Sequence, residues 1–324
     1  MSAKPAVLVT RKLPDAVEAR IAADYDADFN PTDALYTTDE LLARAEGKFA
    51  IIPCHTEKFT ADVFRRLPGS VKAICNFSVG YDHVDTAAAK EKGVIVTNTP
   101  DVLSDATAEI AMLLLLGAAR RAGEGEALVR KREWKDWSPA FMVGRQVTGK
   151  RLGVLGMGRV GQVFAARAAG GLDMDIHYHN RSRLDAATEK DLGATYHETV
   201  ESLLRVSDFL SIHCPATPET TGLINAETLG LLPEGAVLVN TARGAVVNDD
   251  DLIAALSSGR LFAAGLDVFN NEPDIHPGYR GMRNVFLLPH IGSATFETRD
   301  AMGFRALDNL DAITRGAEPK DRVA

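Results

Sequence analysis

The chain has 324 residues, which is enough for two domains with separate hydrophobic cores. Its formal net charge is −8 and it contains no lysine-rich run, which argues against a nucleic-acid partner. The three cysteines are far apart and lack metal-ligand spacing, which favours a reducing compartment and gives no reason to expect a metal site. The first residues resemble a strand rather than a signal peptide, and the longest apolar run, Ile110–Ala119, is too short to span a bilayer. We therefore expect a cytoplasmic protein without membrane contact.

Strand and helix patterns alternate along the first part of the chain, which predicts a parallel sheet with both faces covered. The predicted strands are Ala6–Val9, Ala50–Ile52, Ala73–Cys75 and Ile95–Thr97. The predicted helices lie near Pro14–Ala23, Asp39–Ala45, Ala61–Arg66 and Asp85–Lys92. None of these units carries a glycine-rich phosphate-binding motif.

The second part of the chain repeats the alternation after a long helix that should begin near Ser104. A polar connection with Trp134 and Trp137 follows, and these bulky rings are expected to mark a subunit contact or to cover a cleft. The further predicted strands are Leu152–Leu155, Asp175–Tyr178, Phe209–His213, Val237–Asn240, Ala263–Leu266 and Val285–Leu288. A last helical segment, Ser293–Arg315, has no strand after it.

A glycine motif follows the apolar run Leu152–Leu155 directly. It reads Gly156-Met157-Gly158-Arg159-Val160-Gly161 and leads into an alanine-rich helical segment. Strand, G-x-G-x-x-G turn and helix are the context in which this motif indicates dinucleotide binding. Gly156 permits a tight turn, Gly158 lets the backbone approach the pyrophosphate at the helix N-terminus, and Gly161 allows close packing of helix on strand. The alternative is a glycine turn in another kind of α/β unit.

The end of the next strand indicates which dinucleotide binds. An NAD site usually has a carboxylate there for the ribose hydroxyls, but this chain has Asn180-Arg181-Ser182-Arg183. Two guanidiniums and a hydroxyl suit the 2′-phosphate of NADP(H), since arginine gives paired, charge-assisted hydrogen bonds. We therefore expect NADP(H) as the preferred cofactor, with NAD(H) as the alternative if both arginines are only solvated loop charges.

Blocks of sequence spread over nearly the whole chain resemble those of the D-isomer-specific 2-hydroxyacid dehydrogenase family, most closely its glyoxylate/hydroxypyruvate reductase group. Besides the glycine motif, the blocks are Asn76-Phe-Ser-Val-Gly-Tyr-Asp82, Asn240-Thr-Ala-Arg-Gly-Ala245, Gly265-Leu-Asp-Val-Phe269, Asn271-Glu-Pro273 and Leu288-Pro-His-Ile-Gly-Ser293. Several blocks in one order are far more specific than any one of them.

The resemblance implies an α/β fold of two Rossmann-like, doubly wound parallel-sheet domains with the active site in the cleft between them. Residues 1–100 plus 290–324 would form a discontinuous, flavodoxin-like substrate-binding domain, and residues 101–289 the NAD(P)-binding domain. The family dimerises through the cofactor-binding domain, so we expect a homodimer.

Three residues acquire roles through the resemblance, and each role agrees with the chemistry of its side chain. Arg243 follows an apolar strand, where its planar fork can clamp a substrate carboxylate and polarise the neighbouring carbonyl. His290 can donate a proton in reduction and accept one in oxidation. Glu272 is the expected partner that orients the imidazole and stabilises its protonated form. The alternatives are a structural loop arginine, a buried core histidine and a surface acid.

Other positions receive binding roles from the resemblance alone. The backbone N–H groups of Val79 and Gly80, together with Arg243, would meet the substrate carboxylate. Outside the glycine motif and Asn180–Arg183, the implied cofactor contacts are Thr107, Cys214, Pro215, Thr220, Thr241, Ala242, Arg243, Asp267, His290 and Gly292. His83, His179 and His213 are expected to have no catalytic role.

The sequence therefore predicts an NADP(H)-dependent reductase of small 2-keto acids such as glyoxylate or hydroxypyruvate. An alternative is a phosphite dehydrogenase, or another D-2-hydroxyacid dehydrogenase that uses NAD. A second alternative is a non-catalytic, dinucleotide-sensing protein of the corepressor type, which would keep the same residues. Measured turnover separates an enzyme from a binding protein.

Overall fold

The structure is a computed structural model that describes residues 4–324. The chain divides into two compact units, one formed by the described residues up to Leu103 with Ala294–Ala324, and the other by Ser104–Ser293. These boundaries lie slightly beyond the predicted ones, so that His290 falls within the second unit. Each unit contains one all-parallel sheet with helices, which confirms the predicted α/β fold class. Within the described residues, no helix combines the length and apolarity that a membrane crossing requires.

The first unit contains a five-stranded sheet in the order β2-β1-β3-β4-β5. The strands are β1 (Ala6–Val9), β2 (Asp26–Asp28), β3 (Ala50–Ile52), β4 (Ala73–Cys75) and β5 (Ile95–Thr97). Its first four helices are α1 (Asp15–Asp24), α2 (Thr38–Arg44), α3 (Ala61–Arg66) and α4 (Thr86–Lys92), and the C-terminal helix Phe296–Thr314 completes it. The four predicted strands are confirmed, and β2 is an additional edge strand.

Side-chain caps set several helix boundaries in this unit. Thr37 and Glu40 form a reciprocal capping box at the start of α2. Asp85 accepts the N–H of Ala88 to begin α4, and Gly93 ends that helix with a left-handed φ of 73°. Both sheet faces are covered, and the C-terminal helix adds Leu307 and other apolar side chains to one of the two cores.

The second unit contains a seven-stranded parallel sheet in the order β12-β11-β10-β9-β6-β7-β8. Its strands are β6 (Arg151–Leu155), β7 (Asp175–His179), β8 (Ala194–Tyr196), β9 (Phe209–Ile212), β10 (Ala236–Asn240), β11 (Leu261–Leu266) and β12 (Val285–Leu287). Its helices are α5 (Ser104–Ala119), α6 (Ala122–Arg130), α7 (Arg159–Leu172), α8 (Ala186–Leu192), α9 (Val200–Val206), α10 (Ala226–Leu231), α11 (Asp249–Ser257) and α12 (Pro277–Arg280).

The strand order of this sheet reverses between β6 and β9, and ligands of such sheets bind at the carboxyl ends of the strands beside this point. The glycine motif follows β6, which is central, and Asn180 follows β7. Thr241 follows β10 and Asp267 follows β11. Since all these strands are parallel, these candidate cofactor residues lie at the same end of the sheet, beside the carboxyl ends of its strands.

Candidate active site

The glycine motif has the backbone geometry of a tight strand-to-helix turn. Gly156 has a left-handed φ of 98°, and a Cβ added there would lie 2.5 Å from the backbone nitrogen of Cys214. A Cβ at Gly161 would overlap the carbonyl oxygen of Gly156, whereas one at Gly158 would meet no atom within 4 Å. Two glycines are therefore required by packing, and the third leaves open space where a diphosphate would approach the start of α7.

The other residues of the motif lead from β6 into α7, and the loop after β9 lies beside them. Met157 is fully buried, and Arg159 and Val160 form the first turn of α7. In the loop after the neighbouring strand β9, Cys214 is largely buried, and burial raises the pKa of its thiol to about 11, so the thiol stays protonated. The hydroxyl of Thr220 donates to the carbonyl oxygen of Pro215 at 2.6 Å and fixes the loop after β9.

The two arginines of the loop after β7 have different surroundings. Arg183 donates two hydrogen bonds of 2.8 Å to Glu189, one to each carboxylate oxygen, and its guanidinium carbon lies 5.3 Å from the ring centroid of Tyr196. The Asn180 side chain donates to the carbonyl oxygen of Ser182 at 3.0 Å. In the part of the chain that the structure describes, Arg181 is exposed and forms no hydrogen bond or ion pair. Arg181 therefore offers its full hydrogen-bonding fork to a ligand.

Asp267 anchors the segment that follows His290. Its carboxylate is almost fully buried and accepts the backbone N–H groups of Ile291 and Gly292, each at 2.8 Å. Burial raises the pKa of Asp267, while these two bonds and His290 oppose that shift. The hydroxyl of Thr107 donates to the carbonyl oxygen of Gly292 at 3.2 Å. The side chains of Thr107 and Asp267 therefore both hold the segment after His290 in place.

His290 and Glu272 form a close pair. His290 Nδ1 lies 2.6 Å from Glu272 Oε2, while Oε1 accepts the backbone N–H of Phe269 at 2.7 Å. Since a carboxylate only accepts, Nδ1 carries the proton that it shares with Glu272. His290 has a left-handed φ of 54°, which is uncommon for a residue with a side chain and typical of functional sites.

Arg243 lies on a turn that is closely packed against the Glu272 loop. The buried Asn240 side chain donates to the carbonyl oxygen of Arg243 at 2.9 Å and accepts the N–H of Ala242 at 2.9 Å. The next residue, Gly244, runs so close to the backbone of Phe269 that any Cβ would overlap it. The turn with Arg243 and the loop with Glu272 therefore hold each other in place.

Asp249 makes a second connection between these two loops, and nothing in the sequence predicted it. It accepts the Tyr279 hydroxyl at 2.8 Å and the Asn270 side-chain amide at 3.0 Å. Asp249 begins α11 and had the appearance of an ordinary acidic first turn. The structure thus brings Arg243, Glu272 and His290 onto adjoining segments of one unit.

Thr241 packs against a histidine with no charge. Its hydroxyl lies 3.4 Å from Nδ1 of His213, whose Nε2 faces Ser211 Oγ at 2.8 Å. Desolvation lowers the pKa of His213 to about 3, so this imidazole is neutral and packs against Phe164. Its surroundings are those of a half-buried structural residue.

Val79 and Gly80 belong to the first unit, on the loop after β4. The Asn98 side chain donates to the carbonyl oxygen of Val79 at 2.8 Å, and the Ser78 hydroxyl donates to that of Gly80 at 2.7 Å. Both carbonyl groups are thus directed into the protein, and the loop has a defined shape.

Comparison with known proteins places the chain in a family. Residues 112–292 match the sequence model of the D-isomer specific 2-hydroxyacid dehydrogenase, NAD binding domain. The glycerate dehydrogenase of Hyphomicrobium methylovorum is 44% identical over 315 residues, which cover 97% of this chain and 98% of that protein. The glyoxylate reductase of Pyrococcus furiosus is 40% identical, with 99% of this chain and 95% of that protein covered.

A solved structure extends the similarity. It is an NADPH-dependent glyoxylate/hydroxypyruvate reductase from Sinorhizobium meliloti in complex with NADP and malonate. Its TM-score is 0.86 at 32% identity, over 99% of this chain and 97% of that one. The chain therefore belongs to the D-isomer specific 2-hydroxyacid dehydrogenase family, and it is an NAD(P)-dependent oxidoreductase that acts on CH–OH groups.

Proposed function

We propose that the chain reduces small 2-keto acids, with glyoxylate and hydroxypyruvate as the leading candidates, to D-2-hydroxy acids at the expense of NADPH. The observation that carries the proposal is the 2.6 Å pair of His290 and Glu272 on segments that adjoin the Arg243 turn. Reduction of a keto acid needs a cation for the carboxylate and a proton donor for the carbonyl oxygen. Arg243 would supply the cation and His290 the proton donor, beside the end of the sheet where the candidate cofactor residues lie.

The proposed chemistry assigns one task to each side chain. Arg243 binds the carboxylate and polarises the C2 carbonyl. His290 donates the Nε2 proton to the carbonyl oxygen, and Glu272 stabilises the imidazolium before that transfer. When bound, the nicotinamide supplies the hydride that C2 accepts.

The cofactor would be held by the glycine motif and the loops beside it. The open space at Gly158 fits a diphosphate, and the largely buried Asp267 lies at the end of a neighbouring strand. We propose NADP(H) rather than NAD(H) because Asn180–Arg183, directly after β7, contains no carboxylate and presents an exposed Arg181. The Sinorhizobium relative, which is described as NADPH-dependent, agrees with this choice.

We also propose that the second unit forms a homodimer. Its connection between α6 and β6 exposes Trp134 by 55% and Trp137 by 75% of their surfaces, and Leu113, Leu116, Val129, Phe141 and Val143 are also exposed. So much apolar surface in one stretch of chain is typical of a subunit contact. A Trp137→Asp variant should therefore sediment more slowly than the parent. A parent that sediments as a monomer would contradict the dimer, and a variant that sediments like a dimeric parent would place the contact elsewhere.

A substrate panel measured with both NADPH and NADH tests the proposed activity. Absorbance at 340 nm should fall when glyoxylate or hydroxypyruvate is added with NADPH, and D-glycerate should restore it with NADP⁺. Turnover of phosphite with NAD⁺ would favour the phosphite dehydrogenase. Tight dinucleotide binding without turnover of any 2-keto acid would favour a sensing protein of the corepressor type.

A further inference from the structure

Histidines cluster on the outer strands of the second unit, away from the residues assigned to catalysis. Asp175 and His177 alternate along β7 and so share one face of the strand, and His197 directly follows the neighbouring β8. The His177 side chain is 14% exposed and that of Asp175 is 59% exposed, so solutes reach the cluster from solvent.

The two imidazoles meet nitrogen to nitrogen. His177 Nδ1 lies 3.0 Å from His197 Nε2, and the ring centroids are 5.2 Å apart. The outer nitrogens also have partners: His177 Nε2 faces Asp175 Oδ2 at 3.1 Å, and His197 Nδ1 faces Ser202 Oγ at 3.3 Å. The Ser202 hydroxyl donates in turn to the carbonyl oxygen of Thr199 at 2.9 Å.

These outer partners determine where the ring protons lie. Since the Ser202 proton is directed at a carbonyl, Ser202 Oγ accepts a proton from His197 Nδ1, and a neutral ring then has a lone pair on Nε2. Asp175 accepts from His177 Nε2, which leaves a lone pair on Nδ1. Two neutral rings with these protons would therefore point lone pairs at each other across 3.0 Å, and a cation shared by the two nitrogens would remove their repulsion.

The shared cation is either one proton or a metal ion, and the spacing suits a metal ion. Two nitrogens bound to Zn²⁺ at about 2.0–2.1 Å are about 2.8–3.4 Å apart for coordination angles of about 90–109°. The observed 3.0 Å falls within that range. A ligating histidine usually donates its other N–H to a carboxylate or another polar group, as both rings do here.

We propose that His177 Nδ1 and His197 Nε2 bind one divalent transition-metal ion of the Zn²⁺, Ni²⁺ or Cu²⁺ class, with Asp175 and Ser202 as outer hydrogen-bond partners and water completing the coordination. The ion replaces the proton shared by the two rings, and that proton passes to solvent. Imidazole ligands without thiolates suit these metals rather than Mg²⁺ or Ca²⁺. The bound ion links β7 to β8 and stabilises this edge of the sheet.

Titration of the full-length protein with ZnCl₂ in a calorimeter tests the site, and the same titration in a His290→Ala background keeps the catalytic histidine from contributing. One ion per chain should bind in both proteins. His177→Ala and His197→Ala should each weaken binding at least about tenfold, and Asp175→Asn by about 10–100-fold, as for other outer partners. His276→Ala is the matched control, because this histidine also faces a carboxylate, Asp250 at 3.3 Å, but has no second imidazole.

A second measurement guards against variants that fold poorly. Zn²⁺ should raise the melting temperature of the parent and of His276→Ala, but not that of the more conservative His197→Gln. Undiminished affinity in both the His177 and His197 variants would overturn the proposal. So would a parent that binds no Zn²⁺, Ni²⁺ or Cu²⁺, since the shared cation would then be a proton only.

Discussion

The carboxylate of Asp267 accepts the N–H of Gly292 at 2.8 Å, two residues after the left-handed backbone of His290. The other carboxylate oxygen of Asp267 accepts the N–H of Ile291 at 2.8 Å, so both oxygens hold the backbone. A strained φ persists only where the surroundings hold it, so Asp267 fixes the direction in which the His290 ring leaves the chain.

Replacing Asp267 with alanine should therefore impair both stability and turnover. The buried N–H group of Gly292 and the partly buried N–H group of Ile291 would lose their acceptor, at about 1–3 kcal/mol for a buried group. The removal of a buried carboxylate would offset part of this loss. Urea unfolding should show a loss of roughly 1–4 kcal/mol. Asp267→Asn, which keeps one acceptor, should lie between the parent and the alanine variant. An alanine variant as stable as the parent would mean that the segment holds itself.

Arg243→Lys tests whether the guanidinium fork matters rather than the charge. Lysine keeps the cation but cannot bind a carboxylate through two parallel N–H bonds. We expect a large loss in kcat/KM for keto acids with little change in NADPH affinity. Arg65→Lys is the control, since Arg65 is an exposed partner of Asp62 and such surface pairs contribute little. Damage confined to NADPH binding would instead assign Arg243 to the cofactor site.

Glu272→Gln should change the pH dependence of reduction. Glutamine removes the negative charge that faces the imidazole of His290 at the moment of proton transfer, so the pH–rate profile should differ from the parent's. The pH–rate profile of kcat/KM measures this, with Glu91→Gln in the first unit as the control. A profile that coincides with the parent's would reduce Glu272 to a loop residue held by Phe269.

Arg181 should account for more of the NADPH preference than Arg183. Loss of a charge-assisted hydrogen bond costs about 1.5–3 kcal/mol, so Arg181→Ala should raise KM for NADPH by a factor of about 10–150 and leave KM for NADH unchanged. Arg183→Ala should have a smaller selective effect, because Glu189 already accepts two of its hydrogen bonds. High salt should shrink the Arg181 effect. Equal losses for both cofactors, or a parent that prefers NADH, would contradict this assignment.

The sequence predicted most of the fold because its central strands are continuous apolar runs. The two missed strands are β2, which has two aspartates, and β8, whose middle residue is the polar Thr195. Both are edge strands that lack this signal. The tight packing at Gly156 and Gly161 was predicted because a strand, a glycine turn and a helix follow each other directly.

Side-chain contacts that depend on the path of a loop or on tertiary packing could not be predicted from the sequence. The contact of Arg183 with Glu189 depends on the path of a loop into α8, and the Asp249 connection depends on where α12 places Tyr279. The histidine pair on β7 and β8 could not be predicted because β8 itself was missed. These contacts follow from tertiary packing, which periodicity and motif spacing do not encode.

Turnover of glyoxylate by the parent and by His290→Ala tests the central claim most directly, with NADPH binding measured in the same samples by fluorescence. The parent should oxidise NADPH at 340 nm. The variant should bind NADPH as tightly but turn over about 10²–10⁴-fold more slowly, the usual contribution of a general acid. A variant within a few-fold of the parent, or a parent that binds NADPH without turning over any 2-keto acid, would contradict the account.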